Sequence, residues 1–289
     1  MWNKRRDRGE SMGRSCITFA PGHISGYFKR IDGISAQTTG SLGAGIVIDK
    51  GVTVEMREAS EIRIEISDGS MDDWLIREVL SSLDVTAEVR VMVDLPIGAG
   101  FGMSAAGLLA AYSAANCVFQ LGMTPADIAA AAHEVEVSHG TGLGDVAAAT
   151  GGGLVVRTHP GISGVTSRFY PDEVFWTISF GGISTHDVIT SHEKMQQVTA
   201  AFPEREPASL AEFMENSLSF TEKSGLLPPD LLPVLAACKA AGVPASMTML
   251  GNGVFAVGPA AENVLKQFGE PILLHVSRSG PVILEENYV

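Results

Sequence analysis

The stretch PIGAGFGMSAAG, residues 96–107, decides how this chain is read. It follows an alternating apolar run (Val89, Val91, Val93, Leu95) and leads into a long alanine-rich segment, the pattern of strand, tight loop and helix. Gly98, Gly100 and Gly102 remove side chains where an anion must approach the backbone. A helix beginning near Ser104 adds unpaired N–H groups and the positive end of its dipole. The loop is therefore expected to cradle the phosphates of a nucleotide.

Two common phosphate-binding patterns do not fit it. A Walker loop needs GxxxxGK[ST], and no lysine lies between Lys50 and Lys194. A dinucleotide fingerprint needs GxGxxG and, about twenty residues later, a ribose-binding acid. Here Met103 holds the third glycine position and residues 116–121 read NCVFQL. A nicotinamide-dependent oxidoreductase is not expected.

The loop instead resembles the signature of the GHMP kinases, P-x-[GS]-x-G-[LF]-[GS]-S-[SA]-A. Pro96, Gly98, Gly100, Phe101, Gly102, Ser104 and Ala105 match it, and Met103 replaces the first serine. Two further family motifs have counterparts in order: APGHISGY at 20–27 and TMLGNGVFAVG at 248–258. The resemblance implies an α+β, two-domain GHMP-kinase fold, with the ATP site between an N-terminal α/β domain and a C-terminal ferredoxin-like domain. It also implies ATP contacts along Pro96, Gly98, Ala99, Gly100, Phe101, Gly102, Met103, Ser104 and Ala105, with Mg2+ as the accompanying metal.

Composition agrees. At 289 residues and 45% apolar content the chain can bury a large core, most naturally in two units. These are expected at 12–165 and 166–289, with HPGISG (159–164) as the linker region. Residues 1–11 read as a frayed extension, with Met12 an alternative start. No apolar run reaches the length of a membrane span, and the basic opening MWNKRRDRGES lacks an apolar signal core, so a cytoplasmic location is expected. A formal charge of −13 argues against nucleic acid or anionic membrane as partner. Anionic substrates must then be met locally, by magnesium, helix N-termini and a few placed arginines. The expected partners are ATP and a small acceptor, with a homodimer as a candidate assembly. Cys16, Cys117 and Cys238 are far apart in sequence and in apolar contexts, as buried free thiols would be.

Periodicity predicts strands at 15–20, 45–49, 52–57, 61–66 and 87–95, helices at 103–120, 125–138 and 143–150, and a strand at 153–157. A second unit follows: strand 174–180, helices near 187–200, 209–224 and 230–241, and strands near 245–249, 253–257 and 271–276. Helix 125–138 carries its own start signal in Thr124, Pro125 and Asp127.

The second chemical cluster is HEVEVSHGTGLGDVAAATGGG, residues 133–153. In the family it resembles, a helical acid is followed by an aspartate in a pattern like SG-x-D and then by glycines before a strand. Gly144, Asp145 and Gly151 to Gly153 answer to that, which makes Asp145 the catalytic candidate, although a short acid at a helix entrance also serves as a cap. Glu134 and Glu136 compete for the metal. A turn of 100° per residue sets His133 and Glu136 about 60° apart on one flank of the helix, which favours Glu136, with the Ser104 hydroxyl as second ligand and His133 as a substrate contact. Arg157, ending the strand GGGLVVR, is suited to hold a carboxylate in a bidentate fork. Ser25, in the first motif, is a candidate for the acceptor pocket.

Within the family the wording is most similar to the pantoate kinases of archaea, which implies transfer of the γ-phosphoryl of ATP to the terminal hydroxyl of pantoate in coenzyme A biosynthesis. Homoserine, shikimate or mevalonate as acceptor, and a non-catalytic nucleotide or metabolite sensor, stay open as alternatives. One departure concerns the first motif: other members carry a lysine or arginine after its PG, whereas this chain has His23.

Overall fold

The computed structural model describes residues 13–67, 73–183 and 185–288, so the extension expected at 1–11 lies outside the described residues. The β-branched and alternating sequence at the start of the chain builds one long antiparallel ribbon from β1 (Arg14–Ile31) and β2 (Gly40–Glu58). The break expected between 45–49 and 52–57 is a bulge inside a single strand. Pro21 faces Gly51 but Gly22 faces Ile48, so Asp49 and Lys50 are left out of the ladder. Pro21 has no N–H to give, and a bulge is where a strand tolerates it.

The ribbon is extended on both sides. β3 (Arg63–Ile66) runs parallel to β4 (Ala87–Val93), and β4 pairs with the Val52–Glu58 half of β2. β5 (Leu154–Arg157) takes the Gly43–Ile46 half, and β6 (Val165–Phe169) pairs with β5. A second, four-stranded antiparallel sheet is made by β7 (Phe175–Gly182), β8 (Ala245–Met247), β9 (Gly251–Val257) and β10 (Ile272–Leu274), in the order β10-β7-β9-β8. The last strand, β11 (Val282–Tyr288), returns to the first sheet and pairs with β1.

Helices α1 (Trp74–Ser82), α2 (Met103–Phe119), α3 (Pro125–Ser138) and α4 (Asp145–Ala149) belong to the first half of the chain. α5 (Thr185–Ile189), α6 (His192–Ala201), α7 (Leu210–Lys223), α8 (Leu232–Ala240) and α9 (Ala260–Leu265) belong to the second. The single helix expected at 187–200 is two, because Ser191 caps α6 by accepting the Lys194 N–H at 3.4 Å. Helices α1 and α9 and strands β6 and β11 are additions to the periodicity pattern. Among the described residues no helix is long and apolar enough to cross a membrane.

α2 is the central helix. Its alanines let it lie close on β1 and β2, and it is buried on almost every side from Met103 to Val118. The polar groups taken inside are paired: the Thr18 hydroxyl donates to the Ala110 carbonyl (2.8 Å), and the hydroxyls of Tyr112 and Ser82 meet at 2.9 Å. α3 starts as its signal requires, with Pro125 in the first turn and a reciprocal capping box between Thr124 and Asp127.

Candidate active site

Gly98, Gly100 and Gly102 all adopt positive φ, at +73°, +82° and +65°, a conformation that costs any L side chain about 1–2 kcal/mol. The glycines are therefore a backbone requirement. By helix geometry the first N–H groups of α2, at Met103, Ser104 and Ala105, have no partner within the helix, and they are available to phosphate oxygens. The other two sequence motifs hold this loop from opposite sides. From the first motif, the His23 N–H donates to the Phe101 carbonyl at 2.9 Å, and a Cβ on Gly22 would lie 2.3 Å from the Met103 terminal methyl. From the third, the Thr248 hydroxyl donates to the Ala99 carbonyl at 2.9 Å, and a Cβ on Gly251 would lie 2.1 Å from Ala99. All three motifs thus meet at one loop.

Below the loop, three side chains form a line. His23 Nδ1 lies 2.7 Å from Asp145 Oδ1, and Arg157 Nη1 lies 3.5 Å from His23 Nε2. A guanidinium only donates, so Nε2 accepts, and the ring proton sits on Nδ1 and is given to Asp145. Burial pushes the His23 pKa down, against the pull of Asp145, and holds the imidazole neutral. Arg157 is 2% exposed, and its Nε has no hydrogen-bond partner. Among the described residues it forms no ion pair. Burial pushes its pKa down, while Asp145 and Glu136 pull it up. The spacing of TGLGD has a physical cause here: a Cβ on Gly144 would lie 2.6 Å from Ser41 Oγ and 3.0 Å from Arg157 Nε. Only glycine lets the guanidinium lie beneath that turn.

Glu136 and His133 sit together on α3, both 1% exposed, as the flank argument expects. His133 Nε2 lies 3.0 Å from the Thr39 carbonyl and so donates to it, which turns Nδ1 toward Glu136 Oε2 at 3.4 Å. Glu136 Oε1 accepts the Val146 N–H at 3.3 Å, at the entrance of α4. Burial raises the Glu136 pKa. Burial pulls the His133 pKa down, but the Glu136 carboxylate and the Thr39 and Ala36 backbone together outweigh it and the net direction is up. Glu134 is on another face, exposed, and accepts from Gln37 Nε2 at 3.2 Å.

Ser25, Gly98, Gly100, Gly102, Met103, Ser104, Ala105, Asp145 and Arg157 line one cleft. Ala99, Phe101, His133 and Glu136 are buried behind its walls, and Pro96 is exposed and outside its lining. The cleft also recruits Thr141 and Leu143 from the second chemical cluster and Met249 and Leu250 from the third motif, together with three residues outside every motif: Phe28 and Ser41 from the β1–β2 ribbon and Thr185 from the second half. Phe28 and Ser41 lie in parts of the ribbon where consecutive residues are buried, and nothing in the local sequence separates a pocket residue from a core residue there.

Residues 74–153 match the family of GHMP kinases N terminal domains. The chain is 40% identical to a pantoate kinase of Methanospirillum hungatei over 92% of its own length and 95% of the relative's. It is 30% identical to a pantoate kinase of Methanocaldococcus jannaschii, covering 89% and 99%. Among solved structures, a phosphotransferase described as related to the CoA biosynthesis pathway superposes with a TM-score of 0.77 at 28% identity, covering 93% of this chain and 98% of that one. The chain belongs to the GHMP kinase family. The relatives just named are pantoate kinases, and this chain is a small-molecule kinase with the family's mixed α/β fold.

Proposed function

We propose that this enzyme transfers the γ-phosphoryl group of ATP to the terminal hydroxyl of D-pantoate, giving 4-phosphopantoate for coenzyme A biosynthesis. The observation that carries this reading is the buried Arg157, short of partners and facing the same cleft as Asp145. An isolated buried guanidinium is costly to hold, and a carboxylate is its natural bidentate partner. Pantoate has a carboxylate at one end, a primary hydroxyl at the other and a dimethyl carbon between. Arg157 takes the first, Asp145 orients and accepts a proton from the second, and the apolar wall of Phe28, Leu143, Met249 and Leu250 suits the third. Homoserine fits less well: its ammonium needs an anion, and among the described residues Asp145 is the only acid lining the cleft. Ser25 completes the acceptor side in this reading; His133, expected as a substrate contact, is buried behind the wall and holds the Thr39 carbonyl instead.

ATP lies with its phosphates over residues 96–105 and the N-terminus of α2. Phosphoryl transfer depends mainly on positioning and charge stabilisation, and a preorganised loop with a fixed carboxylate supplies both. We take Mg2+ as the accompanying metal, which would neutralise phosphate charge, with the Ser104 hydroxyl, which lines the cleft, and the Glu136 carboxylate, buried behind its wall, as the ligands to test. Burial of Glu136 beside the α4 entrance gives that carboxylate reason to favour a cation. We take the two units as 12–165 and 166–289, with β11 crossing back to the first sheet, the enzyme as cytoplasmic, and a homodimer as the assembly to test.

Coupled ADP release with Mg-ATP and D-pantoate tests the proposal, with Asp145→Asn as control. Loss of the charge at Asp145 is expected to lower kcat about 10²-fold or more, the scale of a positioned acid–base group. An asparagine variant with wild-type kcat would sink the assignment of Asp145.

A further inference from the structure

We propose that His23 is a positioning residue for phosphoryl transfer: its ring ties the carboxylate that meets the acceptor hydroxyl to the guanidinium that meets the acceptor carboxylate, while its backbone ties both to the phosphate loop. The inference rests on the reading of the cleft as the acceptor site.

Three contacts converge on this one residue. Its N–H holds the Phe101 carbonyl of the phosphate loop at 2.9 Å, its Nδ1 holds Asp145 at 2.7 Å, and its Nε2 accepts from Arg157 at 3.5 Å. The ring is wedged: it is 1% exposed, and a Cβ on Gly45 of the facing strand would lie 2.2 Å from its Nε2. Its orientation is thus set by β2, with no freedom to swing toward solvent. Asp145, by contrast, is 24% exposed on its side chain and sits at the entrance of a five-residue helix. A short acid so placed has several rotamers open to it, and the hydrogen bond from Nδ1 selects one. Arg157 in turn selects the tautomer that can make that bond, because a donor facing Nε2 excludes a proton there. The charged groups that act on the ring are Asp145, Arg157 and, farther off, Arg168. His23 itself lies within β1, behind the cleft wall, so it acts through Asp145 and not on the substrate.

The test compares His23→Phe, His23→Asn and His23→Ala with wild type in coupled ADP release, with binding of a non-hydrolysable ATP analogue as a second readout. Phe keeps the ring but has no donor, and kcat is expected to fall roughly 10- to 100-fold, the span of one charge-assisted hydrogen bond, with the acceptor KM within about threefold. Asn retains a donor and is expected to keep more kcat than Phe. Added imidazole is expected to restore part of kcat to His23→Ala by filling the vacated space. Analogue affinity is expected to stay within about threefold of wild type in His23→Asn.

The proposal is overturned by a His23→Phe enzyme with wild-type kcat, by an Asn variant no better than Phe, or by a loss confined to acceptor KM. Lack of imidazole rescue in a soluble His23→Ala enzyme also overturns it. If the wild-type enzyme phosphorylates a different acceptor, it is the pantoate reading that fails, and the His23 comparison is made with that acceptor.

Discussion

Replacing Arg157 by methionine should make the enzyme more stable and unable to hold its acceptor. The guanidinium is 2% exposed, its Nε is unpartnered, and its side-chain bond to His23 is a long 3.5 Å. Removing a buried charge that has no ion-pair partner removes its desolvation cost; for whole buried ion pairs replaced by apolar side chains the gain is commonly about 1–4 kcal/mol. Loss of attraction to Asp145 and Glu136, loss of the long bond to His23 Nε2 and a small packing defect offset part of this, leaving about 1–2 kcal/mol in favour of the variant. At about 2–4 °C per kcal/mol for a chain of this size, Tm should rise by about 2–8 °C. The acceptor loses a desolvated ion pair of about 2–5 kcal/mol, which corresponds to a roughly 30- to 5,000-fold rise in KM. Thermal melts with and without pantoate give a second reading: the ligand should raise Tm of the wild type and leave the variant where it is. A variant that melts below wild type, or one that keeps its acceptor KM, refutes the idea of an uncompensated charge held for a carboxylate.

In the phosphate loop, Gly100→Ala combines a φ of +82° with a Cβ only 2.8 Å from the Met249 carbonyl, so urea unfolding should show a loss of about 2–5 kcal/mol. Gly98→Ala has φ +73° but nothing nearer than 3.6 Å, and should cost only about 1–2 kcal/mol. Equal losses for the two would contradict the packing of residues 248–251 on the loop. At the proposed metal site, Glu136→Gln should raise the Mg2+ concentration needed for half-maximal activity, and Glu134→Gln on the exposed face should leave it unchanged; the reverse result would move the metal to Glu134. For pH, His23 has a folded pKa below its ordinary value of 6.5, so it favours the fold above that pH, and its contribution is lost as the pH falls toward the folded value. Wild type should therefore lose stability to His23→Asn below pH 6.5, by up to about 1.4 kcal/mol per pH unit, and parallel pH profiles of unfolding would show that His23 is not held neutral.

The phosphate loop is legible from residue types alone because its requirement is local: three glycines at positive φ ahead of a helix N-terminus form a concave run of backbone that suits an anion. The pairing of His133 with Glu136 is likewise within reach of the sequence, since helical spacing sets it. The line Asp145, His23, Arg157 is not, because His23 stands 122 residues from Asp145 and 134 from Arg157, and the three meet only through the β1–β2 and β2–β5 pairings and the packing of α4 on β1. Arg157 ends its strand as expected, yet a strand end gives no sign of burial beneath Gly144. The bulge that lets β2 run unbroken through Asp49 and Lys50 depends on Pro21 across the ribbon, which periodicity along one strand does not contain. Strand β11 is hidden for a related reason: Val282, Ile283 and Leu284 are all exposed, so no alternation marks it, and only its pairing with β1 makes it a strand.

The cleft, lined by Arg157, Asp145 and an apolar wall, suits an acceptor with a carboxylate, a branched apolar middle and a terminal hydroxyl. The most direct measurement is kcat/KM across D-pantoate, mevalonate, homoserine and shikimate with Mg-ATP, with phosphorus NMR of the product. Pantoate is expected to give the highest value and a phosphate on its terminal hydroxyl oxygen; a higher kcat/KM for any other acceptor, or phosphate on the secondary hydroxyl, would show that the cleft is not built for pantoate in this pose.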